Sequence, residues 1–153
     1  MATHFSKFNT MKTFLAAIVL AVAIISSPAD EVGALSPSIA KDSRCFELRT
    51  YHAAPGKLEA LNARFRDHTC ALFKKHGMEI VGFWIPTDAD KGADSTLVYL
   101  LAYPSREAAK KSWAAFGSDP DWKKAQQESE ANGKLVTKVE SVYLNATDYS
   151  PVK

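Results

Sequence analysis

Eight residues near the middle of the chain, TLVYLLAY (Thr96 to Tyr103), constrain the fold most. They carry no charge and are apolar on both faces of an extended strand. That pattern suits a central strand covered on both sides. Something must therefore pack against each face of the sheet that holds it.

The neighbouring segments supply one of those covers. Arg44 to Tyr51 alternates polar and apolar residues, as a half-buried strand does. Pro55-Gly56 makes a turn, and Lys57 to His76 reads as an amphipathic helix. Its apolar stripe is Leu58, Leu61, Phe65, Thr69, Leu72 and His76. Gly77 is a natural helix C-cap, and Met78 to Ile85 (MEIVGFWI) is rich in β-branched and aromatic residues, as strands are. A second helix follows Ser105, which can cap it, and passes through Trp113 and Phe116. Gly117 interrupts it, and Asp119-Pro120 restarts it as cap and first helical residue, to about Ala131. Lys134 to Leu144 is a final strand.

The order β-α-β-β-α-β predicts an α+β fold of the ferredoxin-like, split βαβ kind. Its helices lie on one face of the sheet only. The doubly apolar Thr96–Tyr103 strand then leaves an apolar surface on the other face, and such surfaces are normally covered. The expectation is a homodimer with two sheets packed face to face, a dimeric α/β-barrel.

The N-terminus does not belong to this domain. Phe14 to Ile25 is an unbroken apolar run preceded by Lys7 and Lys12. It is shorter than the roughly 20 residues a membrane span needs and matches the apolar core of a signal peptide. Residues 1–34 are read as that signal, with cleavage after Ala29 or Ala34. Met11 is an alternative start, which makes 1–10 an upstream extension. An uncleaved anchor is the competing reading. Residues 35–43 are read as a flexible linker and 44–151 as the folded domain. The expected address is periplasmic or extracellular, without stable membrane insertion after cleavage. Net charge is only +2, with no basic stripe and no interleaved aromatics, so nucleic acid is not an expected partner. Two cysteines, Cys45 and Cys70, remain in the exported part, and an oxidising compartment makes a disulfide a fair alternative. Strand alternation points Cys45 away from Phe46 and Leu48, the residues expected to face the helix. Cys70 falls on the flank of the helical stripe, so two free thiols are favoured.

No catalytic signature stands out. There is no CxxC, HExxH, GxSxG or glycine-rich phosphate loop, and the four histidines are scattered. No metal and no cofactor are expected, and catalytic residues stay unassigned. Glu47, Arg49 and Tyr51 project together from one strand face. That face is expected to be the one away from the helices, inside the dimer. An internal Arg–Glu pair, or pairing across the dimer interface, explains the first two residues without any function. As ligand-binding residues they would form a polar anchor beside the aromatic rings of Trp84, Tyr99 and Tyr143. His52 ends the strand and could serve, with Glu47, as a base at the cavity mouth. Trp113, Phe116 and Trp122 straddle the helix break and are expected to anchor it.

Taken together, FELRTY (Phe46 to Tyr51), Pro55-Gly56-Lys57, KKHGMEIVGFW (Lys74 to Trp84), TLVYLLAY, FGSDPDW (Phe116 to Trp122), Ser129-Glu130 and TDYSP (Thr147 to Pro151) resemble the NIPSNAP family. The resemblance implies the dimeric α/β-barrel and supplies no catalytic residue. Two functions follow as expectations. One is a binding protein that holds a small apolar or aromatic ligand in its cavity. The other is a cofactor-independent monooxygenase or isomerase acting on a small aromatic substrate.

Overall fold

The computed structural model describes Met1 and residues 36–153. The expected signal segment and both expected cleavage positions lie outside the described residues. The elements are β1 (Cys45–Ala53), α1 (Leu58–Arg64), a π-helical turn (Phe65–Thr69), α2 (Cys70–Lys75), β2 (Glu79–Trp84), a short 3-10 turn (Ala89–Lys91), β3 (Thr96–Tyr103), α3 (Arg106–Ser118), α4 (Pro120–Ser129) and β4 (Val136–Asn145). The four strands form one antiparallel sheet in the order β2-β3-β1-β4, the ferredoxin-like arrangement. The doubly apolar strand β3 is central, as its composition requires.

Local sequence explains the boundaries. Ser105 accepts a hydrogen bond from the Ala108 amide and caps α3. Asp119 accepts one from the Asp121 amide and caps α4, with Pro120 in its first turn. Phe116 bridges the break between these helices: its ring centroid is 5.6 Å from Trp113 and 4.5 Å from Trp122. Gly77 ends α2 at φ 72°, a backbone region that glycine enters without strain.

The first helix is not uniform. The π turn widens it at Phe65–Thr69, and the Thr69 hydroxyl bonds back to the Arg64 carbonyl. The expected stripe is nevertheless buried from Leu58 through Leu72, together with Arg64 and Phe73. Leu58, Leu61, Phe65, Leu72 and Phe73 meet Leu97, Tyr99, Leu101 and Tyr103 of β3 in a single core between helices and sheet. Phe73 is buried beside the stripe because the extra residue in the π turn broadens the inward-facing arc, and Arg64 is buried beneath α4, where it meets Trp122 and Glu130.

The opposite sheet face is only partly covered. Phe46 and Ala102 pack with Ala146 of the C-terminal segment. That segment is tied to the chain ahead of β1: Ile39 bridges Thr147, and the Ala40 amide donates to the Ala146 carbonyl. Farther along, Val142 is 53 % exposed and Trp84 52 % exposed. Val142 pairs with Leu48, and Trp84 pairs with Val98, so these apolar residues share the open face.

Candidate functional site

The most heavily bonded polar group in the interior is the carboxylate of Glu47, which is 1 % exposed. One oxygen accepts from Arg49 Nη1 at 2.6 Å and Ser141 Oγ at 2.6 Å. The other accepts from Trp113 Nε1 at 2.6 Å and Tyr103 hydroxyl at 2.9 Å. Register explains two of these partners. Glu47 lies opposite Leu101 and Tyr143, so Tyr103 and Ser141 are its diagonal neighbours on the same face. Trp113 reaches it from α3 and pins helix to sheet. Burial alone would raise the Glu47 pKa, but the bonds from Ser141, Trp113 and Arg49 outweigh it and hold the carboxyl below its ordinary range. The group is ionised at neutral pH with its acceptor positions occupied. It is placed to organise its neighbours rather than to take a proton from a ligand.

Arg49 closes this cluster. Its guanidinium carbon lies 4.2 Å from the Trp113 ring centroid and 5.5 Å from that of Tyr51. Among the described residues its Nε, though buried, has no hydrogen-bond partner, and neither has the hydroxyl of Tyr99. Tyr99 is fully buried, with its ring centroid 5.2 Å from Tyr51 and 5.3 Å from Phe65. Burial first, and then Tyr51, push its pKa well above the usual phenol value, so it stays protonated. Tyr143 joins from β4 with the Arg106 guanidinium 4.2 Å from its ring centroid.

Five of the six expected ligand residues therefore gather on one face: Glu47, Arg49, Tyr51, Tyr99 and Tyr143. It is the face beneath the helices, which corrects the expectation that Glu47, Arg49 and Tyr51 point away from them. Strand alternation fixes which residues share a face but not which face is buried. Aromatic rings from the helices settle that in favour of Tyr51 and Tyr99. Phe46 and Leu48 consequently turn to the open face. Trp84 is separated from the other five: its ring lies over Gly82, and a methyl group at Gly82 would stand 2.8 Å from it. His52 is also away from Glu47, beside Glu140 at 3.4 Å.

A cleft of about 460 Å³ opens where the π turn passes the end of β2 and the start of β3. Phe65, Phe83 and Leu97 form its apolar wall, with Asn62 and Arg66 on the helix side and Trp84 and Ile85 at the strand side. π turns recur at functional sites because the widened turn re-aims side chains. Cys70 borders the cleft. Burial raises the pKa of its thiol and of Cys45, so both remain protonated. Both thiols are free. Cys45 does turn toward the helices, contrary to the expectation, but it pairs with Tyr103 while Cys70 sits near Leu97, at the other end of β3.

His76 is used structurally. Its Nε2 is 2.6 Å from the buried carboxylate of Asp119, which Lys75 also reaches at 2.8 Å. The hydrogen bonds of Lys75 and His76 hold the Asp119 pKa far below the usual carboxylate range. The triad ties α2 to the break between α3 and α4. Among the described residues no group of three or more His, Cys, Asp or Glu side chains could hold a metal ion. No helix among them is long and apolar enough to cross a membrane.

Sequence reasoning missed Trp113, Tyr103 and Ser141 as partners of Glu47. Tyr103 and Ser141 could have been found from strand register, since both are two residues from its direct partners. Trp113 had no local signal, because its contact depends on how α3 docks.

A sheet in the order β2-β3-β1-β4 with helices on one face, and a buried carboxylate joining the two layers, defines an α+β ferredoxin-like domain. The chain belongs to the NIPSNAP family, whose sequence model matches residues 46–151. No functionally curated protein matches the sequence. Among solved structures it is similar to a NIPSNAP family protein of unknown function from Agrobacterium tumefaciens. The two are 21% identical with a TM-score of 0.65, over 76% of this chain and 99% of that one. A second NIPSNAP family protein from that organism gives 20% identity and a TM-score of 0.62, over 72% of this chain and 99% of that one. An uncharacterized NIPSNAP-like domain protein from Burkholderia xenovorans gives 17% identity and a TM-score of 0.62, over 72% and 90%. At these identities the likeness is one of fold.

Proposed function

We propose that this protein is an exported, homodimeric binding protein that holds a small apolar or aromatic molecule. The observation that carries the reading is the apolar cleft at the π turn, walled by Phe65, Phe83 and Leu97. Its volume of about 460 Å³ lies within the usual range of small-molecule sites, which are mostly apolar with a few polar groups. Here Asn62 and Arg66 are those polar groups.

The cleft and the dimer are linked through Trp84. This residue borders the cleft and also stands on the open sheet face. A second copy laid on Leu48, Val98, Leu100 and Val142 would cover Trp84 and narrow the cleft mouth. The apolar run Phe14–Ile25 supports export. The buried Glu47 cluster favours binding over turnover. An enzyme of the monooxygenase or isomerase kind would need a free base near its ligand, whereas the Glu47 oxygens already accept four hydrogen bonds.

A nuclear magnetic resonance titration with indole tests the reading. The expected result is saturable shifts confined to Phe83, Leu97 and the π turn, lost in Asn62→Trp, which fills the cleft from its rim. Shifts that never saturate, or that survive that substitution unchanged, overturn it.

A further inference from the structure

A second cleft, of about 300 Å³, lies on the other flank of the helix layer, between α4 and the β4 edge. Its walls include the rings of Tyr51 and Trp122, and Arg64 borders it from α1. Arg64 is unusual: its side chain is only 4 % exposed. Lysines and arginines are seldom buried so far without full pairing. Its Nη1 donates to Glu130 Oε1 at 3.0 Å and, weakly, to Ser129 Oγ at 3.5 Å. Its Nε has no partner among the described residues, and no bond is made there from Nη2 either. Nε and Nη2 form one edge of the guanidinium plane. That edge has the spacing of two parallel hydrogen bonds to a carboxylate.

Charge points the same way. The cleft is bordered by two cationic side chains, Arg64 and Lys134, against one carboxylate, Glu130. Lys138 borders the cleft through its strand, but its side chain turns to the opposite sheet face with Glu140; Lys134 has no ion-pair partner among the described residues. Arg64 also borders a groove on the outer side of α1 and α4, which carries Asp67 and Glu128 and would repel an anion. The guanidinium carbon lies 5.2 Å from the Trp122 ring centroid, so the guanidinium and an aromatic wall of the cleft are adjacent.

We infer that this cleft binds a small planar aromatic carboxylate, with its carboxylate on the Nε–Nη2 edge of Arg64 and its ring against Trp122 and Tyr51. The site is separate from the apolar cleft at the π turn and does not depend on it. In the empty site Nε is closed to solvent, so binding requires the side chains around Arg64, Trp122 among them, to give way.

The test is a resonance titration of the mature chain with sodium benzoate, reading the Arg64 Nε–H and the Trp122 indole N–H. Both signals should shift and saturate together. Benzyl alcohol, which lacks the charge, should bind at least about tenfold more weakly, as expected when a charge-assisted bond is lost. Lys134→Glu, an exposed substitution that leaves the core intact, should weaken benzoate about three- to tenfold by reversing a rim charge. Arg64→Lys should abolish the Trp122 response if it folds, and Lys134→Glu carries the test if it does not. Equal affinity for benzyl alcohol overturns the role of Arg64. The same shifts with inorganic phosphate overturn the aromatic part and leave a plain anion hole. Shifts at Phe83 and Leu97 alone, with Arg64 silent, overturn the site.

Discussion

Trp113 donates its indole hydrogen to the carboxylate of Glu47 at 2.6 Å, joining α3 to the central strand β1. The same carboxylate oxygen accepts from Tyr103, and its twin accepts from Arg49 and Ser141. Helix layer and sheet layer are therefore fastened at one buried anion. Glu47→Gln should destabilise the domain by about 3 kcal/mol, because Arg49 is left as a buried charge without its partner. Trp113→Phe, which removes one donor and keeps most of the ring, should cost about 1–2 kcal/mol. Urea unfolding of the three proteins checks the order; a Glu47→Gln midpoint equal to that of the parent contradicts it.

The pH dependence follows from the direction of the same pKa. Glu47 is held below its ordinary value of 4.5 in the fold. Its contribution to stability is therefore fully present above the unfolded-state pKa and is lost as pH falls through the lowered folded value. Asp119, also lowered, adds to the loss on the same acid side. Unfolding free energy should be level from neutrality down to the ordinary carboxylate range and fall below it. In Glu47→Gln the acid fall should be shallower. An unchanged slope would assign the acid sensitivity to other carboxylates.

The cap at Ser105 gives a calibrated local test. Its hydroxyl accepts from the Ala108 amide at 3.1 Å. Ser105→Ala should cost about 1 kcal/mol without altering ligand response at either cleft. A change in indole binding would mean that α3 moves with the cleft.

Gly82 matters through a neighbour rather than through its backbone. Its φ is not positive, but an added methyl would meet the end of the Trp84 ring at 2.8 Å. Gly82→Ala should fold with little loss, since that ring is free to swing. It should also weaken dimerisation measurably, because the displaced indole disturbs the open face. Sedimentation equilibrium checks this; an unchanged dimer constant removes Trp84 from the interface.

The open face predicts its own disruption. Val142→Glu puts a charge where Leu48 and Val142 present apolar surface. Edge strand β4 leaves Val142 accessible, so the monomer should fold with a thermal midpoint close to the parent's. Light scattering should show the mass halved. A dimer that persists in Val142→Glu would locate the interface elsewhere.

Much of this fold was legible in the sequence because its signals were local. The Ser105 cap, the Asp119-Pro120 restart and the doubly apolar β3 each specify their own element. The candidate site was legible only as a set of residues sharing a face. Alternation grouped Glu47, Arg49 and Tyr51, yet could not say whether the helices lay above them or behind them. That choice rests on how Phe65, Phe73 and Trp113 dock, which is a long-range fact. The π turn was invisible for a related reason. Its residues form an acceptable α-helix, and the extra residue is accommodated by packing against β3. Arg64 fell beside the expected stripe as an ordinary flank residue, and only the approach of α4 buries it.

Native mass spectrometry of the mature protein, with and without added indole, tests the central claim most directly. The account predicts a homodimer that takes up one indole per protomer and keeps its dimeric mass. A folded monomer, or a dimer that takes up none at saturating indole, would contradict it.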